Sequence, residues 1–161
     1  MHLLFWRRRS TRVLTLFLLA AAATARLPIT TVTVPVWSVQ IVDTAGRAVN
    51  GACVSQTWQQ YSFESEGHTE ELKADRSGHV QFPARTATAT LWRRVWRPAA
   101  QLGRTHASFG AHAWIIAGAP QRQGSALYES GMQLPNTIVL QPDSSQFEWE
   151  PGSIAARCSP I

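Results

Sequence analysis

The chain is defined first by what it lacks. Past residue 25 there is no apolar run approaching the roughly 20 residues that a membrane-crossing helix needs. There is no Gly-x-Ser-x-Gly elbow, and Cys53 has no histidine partner visible in the sequence, so the common signatures of nucleophilic catalysis are missing. Histidines stand at His2, His68, His79, His106 and His112 without a His-x-x-x-His pair. The six-residue step from His106 to His112 suits neither one helix face nor a compact chelating loop. Neither a metal nor a cofactor is expected, and no catalytic residue is assigned. No long segment keeps a 3.6-residue apolar period. No internal repeat and no linker rich in Pro, Gly or Ser divides the chain.

What is present begins with a three-zone leader. Arg7, Arg8, Arg9 and Arg12 give a basic start, and Val13 to Ala23 is uncharged and apolar except for Thr15. Ala23-Thr24-Ala25 then supplies the small residues a signal peptidase requires. Residues 1–25 therefore read as a cleavable signal peptide, with an uncleaved anchor as the alternative. The expected location is the periplasm, the cell surface or the medium, with only transient membrane contact through the leader. No Cys follows the apolar run, so a lipoprotein box is absent. Ser10-Thr11 stand where a twin-arginine motif wants an apolar pair.

Removing the leader changes the electrostatics. Taking its four arginines from the fifteen basic residues leaves eleven against ten acidic ones, a net of +1 in place of +5. A bulk charge argument for nucleic acid therefore fails, and any polyanion site must be a local patch.

The rest reads as an extended leader over 26–36, one domain over 37–142 and a tail over 143–161. Trp37, Val39 and Ile41 alternate on one face of a first strand, and Asp43-Thr44-Ala45-Gly46 makes a turn. Gly51 to Trp58 is a second strand with Ala52, Val54, Gln56 and Trp58 on one face. Gln59 to Leu72 is polar, predicted as a loop or a short helix. Asp75-Arg76-Ser77-Gly78 is a turn before a short strand with Val80 and Phe82. Thr86 to Trp92 alternates Thr and Ala, which predicts a strand. Strands are also predicted within Ser108 to Ala117 and Asn136 to Pro142, with a loop at 118–124. About seven short strands separated by turns predict an all-β, antiparallel sandwich.

Three stretches carry a resemblance. Val39 to Val54 has a strand, an Asp-x-x-Gly turn and a Val-x-Gly-Ala-x-Val return strand. Ala74 to Phe82 has a second Asp-x-x-Gly hairpin ending in Phe, and Thr137-Ile138-Val139-Leu140-Gln141-Pro142 is like a closing strand. In this order they resemble the carboxypeptidase regulatory-like domains, small sandwiches of the transthyretin-like and immunoglobulin-like kind. The resemblance implies a non-enzymatic folding or docking module. Transthyretin-like hydrolases end in Tyr-Arg-Gly-Ser, whereas this chain ends Cys158-Ser159-Pro160-Ile161, so that activity is not implied.

The resemblance also turns Ala52 and Val54 inward and Cys53 away from the core. In an oxidising compartment Cys53 and Cys158, the only two cysteines, are expected to pair across the outside of a sheet, the alternative being two unpaired thiols. Glu64, Glu66, Glu70 and Glu71 read as a solvated acidic segment rather than as a catalytic carboxylate pair.

The segment from Arg85 to Arg104 is the most unusual. It holds Arg85, Arg93, Arg94, Arg97 and Arg104 around Trp92 and Trp96, and from Arg76 to Arg122 there are seven arginines and no acid. Trp92, Arg93, Arg94, Trp96 and Arg97 are the candidate contacts for a sugar or polyanion. The competing expectation puts Trp92 in the core, with the arginines on a solvated loop. The sequence reading is thus an exported, non-enzymatic module with a structural or partner-binding role. Its unknown partner is a protein or glycan rather than nucleic acid. A carbohydrate- or polyanion-binding module is the second reading. A buried Trp92 favours the first, and an exposed Trp pair the second.

Overall fold

The computed structural model of the chain describes residues 2–103 and 108–142. The segment expected to be a signal peptide forms a helix, α1, over His2–Ala25. Nine strands and one further helix follow among the described residues. These are β1 (Pro28–Val34), β2 (Trp37–Asp43), β3 (Cys53–Gln60), β4 (His68–Lys73), β5 (His79–Phe82), β6 (Arg85–Thr90), α2 (Leu91–Gln101), β7 (Ala111–Ala119), β8 (Arg122–Glu129) and β9 (Thr137–Pro142). Among the described residues no helix is long and apolar enough to cross a membrane.

Seven strands join in the order β4-β3-β7-β8-β9-β2-β5, and β1 pairs with β6 in a separate ribbon. The large sheet is mixed, which corrects the expectation of a purely antiparallel one. β2 and β9 run parallel, Gln40 to Asp43 lying beside Thr137 to Leu140. The seam between β8 and β9 is narrow, with Arg122 opposite Pro142 and Gln123 opposite Gln141. Strands from both ends of this sheet share one core in a β-rich, sandwich-like body. That core receives Val39 and Ile41 from β2, Val80 and Phe82 from β5, and Ile138 and Leu140 from β9. From the other half it receives Val54, Ala113, Ile115 and Tyr128. Burying each large apolar side chain here is worth about 1.5–3 kcal/mol.

The alternation expected in β2 is seen, whereas in β3 the expected inward residues are buried but so are Cys53 and Ser55 on the other face. Trp37, Val39 and Ile41 are wholly buried, as are Val54 and Gln56. Other expectations are corrected. The segment predicted as an extended leader holds β1, which pairs through Pro28↔Thr90 and Thr30↔Thr88 with β6. The polar segment 59–72 is neither one loop nor a helix, because β3 continues to Gln60 and β4 returns from His68. The predicted loop at 118–124 is the tight connection of a hairpin, with β8 opposite β7.

Two carboxylates build the Asp-x-x-Gly turns. Asp43 Oδ1 accepts the backbone N–H groups of Ala45 and Arg47, each at 2.9 Å, and its Oδ2 accepts Arg47 Nε–H at 2.9 Å. Asp75 Oδ1 accepts from the Ser77 N–H, the Ser77 hydroxyl and the His79 N–H at 2.8, 2.7 and 2.9 Å. Both acids titrate below the ordinary carboxylate value. For Asp43 the main cause is the Arg47 backbone N–H, opposed by desolvation; for Asp75 it is the Ser77 hydroxyl. A depressed folded-state pKa contributes stability above the unfolded value, near 3.9, and loses it as pH falls through the folded value. Asp43→Asn should therefore lower the melting temperature at neutral pH, with the gap to wild type closing below roughly pH 4. Calorimetry across that range checks it; a gap that persists undiminished in acid would assign the loss to shape rather than charge.

Candidate functional site

α2 starts where the Thr/Ala alternation ends. Thr90 has extended backbone, φ −66° and ψ 153°, and its hydroxyl accepts the Arg93 N–H at 3.3 Å, so it caps a helix at the residue where a strand was predicted to continue. The strand expected over Thr86 to Trp92 thus stops at Thr90. Little in the helix favours it on its own. Its first turn has arginines and no acid, against the helix dipole, and Pro98 removes a backbone donor from its interior.

The protein body holds it by its polar side. Arg94 Nη2 donates to the Ile29 carbonyl at 2.6 Å and to the Thr31 hydroxyl at 2.8 Å. Its guanidinium lies 4.4 Å from the centre of the Phe63 ring. Phe63 packs with Ala87 and Ala89 in a small second core beneath the ribbon. Further along, Gln101 Nε2 donates to the Tyr61 carbonyl at 3.2 Å. Arg94, Arg97, Pro98 and Gln101, spaced to share one helix face, are half-buried against the body.

The apolar residues point the other way. No side chain of α2 is buried, and Leu91, Trp92, Val95 and Trp96 are all exposed, the two tryptophans at 59% and 58%. Their rings are stacked, 5.6 Å between centroids and 5° between planes. The expectation that Trp92 packs in the core is therefore wrong, and so is the picture of a solvated arginine loop. A shallow cleft of about 390 Å³ lies on the polar side of α2, with Arg97, Gln101, Tyr61 and Glu64 among its lining; neither tryptophan lines it.

The five candidate residues lie within one short helix but have different roles. Trp92, Arg93 and Trp96 face solvent, Arg97 stands half-buried at the rim, and Arg94 is a structural hook. Arg85, grouped with them by sequence, belongs to the body. Its Nε donates to Gln56 Oε1 at 2.9 Å, it pairs with Glu70, and it lies 4.1 Å from the centre of the Trp58 ring. Glu64 accepts the Gln60 N–H at 2.7 Å and stands 3.4 Å from His68. Two of the four acids of the polar segment therefore brace β3 and β4. Among the described residues no three His, Cys, Asp or Glu side chains converge to hold a metal.

Cys53 is only 3% exposed, although Ala52 and Val54 beside it are the residues that enter the main core. Cys158, Arg104 and His106 lie outside the described residues. The short apolar period of α2 was the signal available in the sequence. Leu91, Val95, Ala99 and Leu102 recur at helical spacing after a capping threonine, but over only three turns interrupted by a proline. The chain matches no protein-family model, and no curated protein is similar enough to match it.

Proposed function

We propose that this chain is an exported, non-enzymatic β module of the carboxypeptidase regulatory-like kind, which docks on an anionic partner through α2. The observation that carries the reading is the outward apolar face of α2, with Trp92 and Trp96 at its edge and Arg93 and Arg97 beside them. A helix that contributes nothing buried to the body, yet is tied to it at Arg94 and Gln101, is accounted for by what it meets outside. In the exported protein a Cys53–Cys158 bridge would fasten the tail to β3.

Retention on immobilised heparin, a generic polyanion, tests the docking reading. Wild type should be retained at low salt and released as salt rises, since each neutralised charge returns a counterion to solution. Arg93→Glu with Arg97→Glu should elute at much lower salt, its salt slope reduced by about one per arginine. Melting temperatures of wild type and variant should agree, because neither arginine is part of the core. Equal elution of the two proteins would rule out α2 as the anionic docking element.

The second reading, sugar stacking, is favoured by the exposure of both tryptophans. It is weakened by their geometry, because parallel stacking covers the facing side of each ring and leaves no two-ring platform.

A further inference from the structure

α2 is turned inside out relative to an ordinary surface helix. Successive residues advance about 100° around a helix, so Leu91, Trp92, Val95, Trp96, Ala99 and Leu102 fill one continuous arc. All six are exposed, while the half-buried residues Arg94, Arg97, Pro98 and Gln101 occupy the opposite arc. Resting on the reading of α2 as the docking element, the geometry points to the partner: α2 lies flat on the surface of an anionic lipid bilayer, with its apolar arc among the acyl chains.

Three observations fit that partner. Helices that lie in the membrane interface carry Trp and Leu on one side and arginine on the other, the apolar side entering roughly 5–10 Å. On α2 the tryptophans stand at the edge of the apolar arc beside Arg93, the level where indole rings favour the headgroup boundary. Charge is complementary too: Arg93 is exposed beside the tryptophans, and no acid occurs on α2 or anywhere from Arg76 to Arg122. The neighbouring chain extends the same edge. The Leu91 N–H donates to the Leu27 carbonyl at 3.3 Å, and Leu27 is exposed. Cleavage before Arg26 would leave that arginine and a free amino group beside it, each near-surface charge attracting anionic lipid.

A second copy of the chain fits less well. An 11-residue helix is about 16 Å long and about 10 Å across, so its face projects on the order of 160 Å², a small part of the roughly 800 Å² per partner that a stable dimer buries. Two-fold pairing would also bring the Arg93 side chains of both copies near one another with no acid on either helix to meet them.

Vesicle co-sedimentation with the full chain tests the inference, using neutral phosphatidylcholine vesicles and vesicles with about 30% phosphatidylglycerol. Because the apolar stretch of α1 can itself partition, the comparison is among variants that all retain it. Trp92→Ser with Trp96→Ser, and separately Val95→Asp, should each lower binding to anionic vesicles by about tenfold or more. Arg93→Glu with Arg97→Glu should abolish the preference for anionic over neutral vesicles. Brominated lipid should quench the emission of wild type more than that of the double-serine variant. Equal binding by wild type and both apolar-face variants would overturn the lipid assignment. Arginine-dependent heparin retention without vesicle binding would overturn it while leaving the docking reading intact; binding to neither would end both. Self-association in ultracentrifugation that disappears on Trp92→Ser with Trp96→Ser, without vesicle binding, would give the face to a second copy instead.

Discussion

Trp37→Ala should cost the fold about 3–5 kcal/mol, while Trp92→Ala costs less than about 0.5. Trp37 has no exposed surface. Its Nε1–H donates to the Pro135 carbonyl at 2.7 Å, and its ring meets Tyr128 edge-on at 6.1 Å. Truncation leaves a cavity in the core that both ends of the sheet share and removes the partner of a carbonyl that fixes the approach to β9. Trp92 meets solvent and the neighbouring Trp96, so its loss opens no cavity. Urea denaturation of wild type and the two variants decides the matter. Comparable losses at both positions would mean that α2 packs on the body by its apolar side, and the docking reading would fall with the geometry.

Gly78→Ala is the second large effect, about 2–4 kcal/mol. Gly78 has φ +74°, where an L-residue loses roughly 1–2 kcal/mol. An added Cβ would also stand 2.5 Å from the Ile41 carbonyl oxygen and 3.1 Å from the Val49 nitrogen. Neither atom can retreat easily, because the Ile41 carbonyl accepts the Val49 N–H and the Gly78 carbonyl accepts the Ile41 N–H. Gly46 is the control. Its φ is +76°, but nothing lies within 4 Å of its missing Cβ. Gly46→Ala should therefore show the backbone strain alone, roughly 1 kcal/mol. Equal losses at the two glycines would show that the turn at Gly78 yields to the contact and that only φ matters.

The two turns are also where sequence and structure agree most closely. Asp, two residues and Gly name a local geometry that needs no distant partner, because the carboxylate accepts N–H groups two and four residues on. Strand alternation was legible for the same reason. Trp37, Val39 and Ile41 share a face in any sheet, whatever lies next to it. Strand direction was not legible, since a buried period of two reads the same beside a parallel or an antiparallel neighbour. That β2 takes β9 as a parallel partner is decided by residues almost a hundred positions apart.

The candidate site divides along the same line. From sequence alone came the arginines and tryptophans of 91–97, their lack of acids, and a signal-like leader before them. A capping threonine and a helical apolar recurrence were present but short. Which way that helix faces is a tertiary property. An isolated amphipathic helix is free to bury either side, and burying the apolar one is the ordinary outcome. Here the Ile29 carbonyl, the Thr31 hydroxyl, the Phe63 ring and the Tyr61 carbonyl offer the body's partners to Arg94 and Gln101, so the polar side goes in and the tryptophans go out.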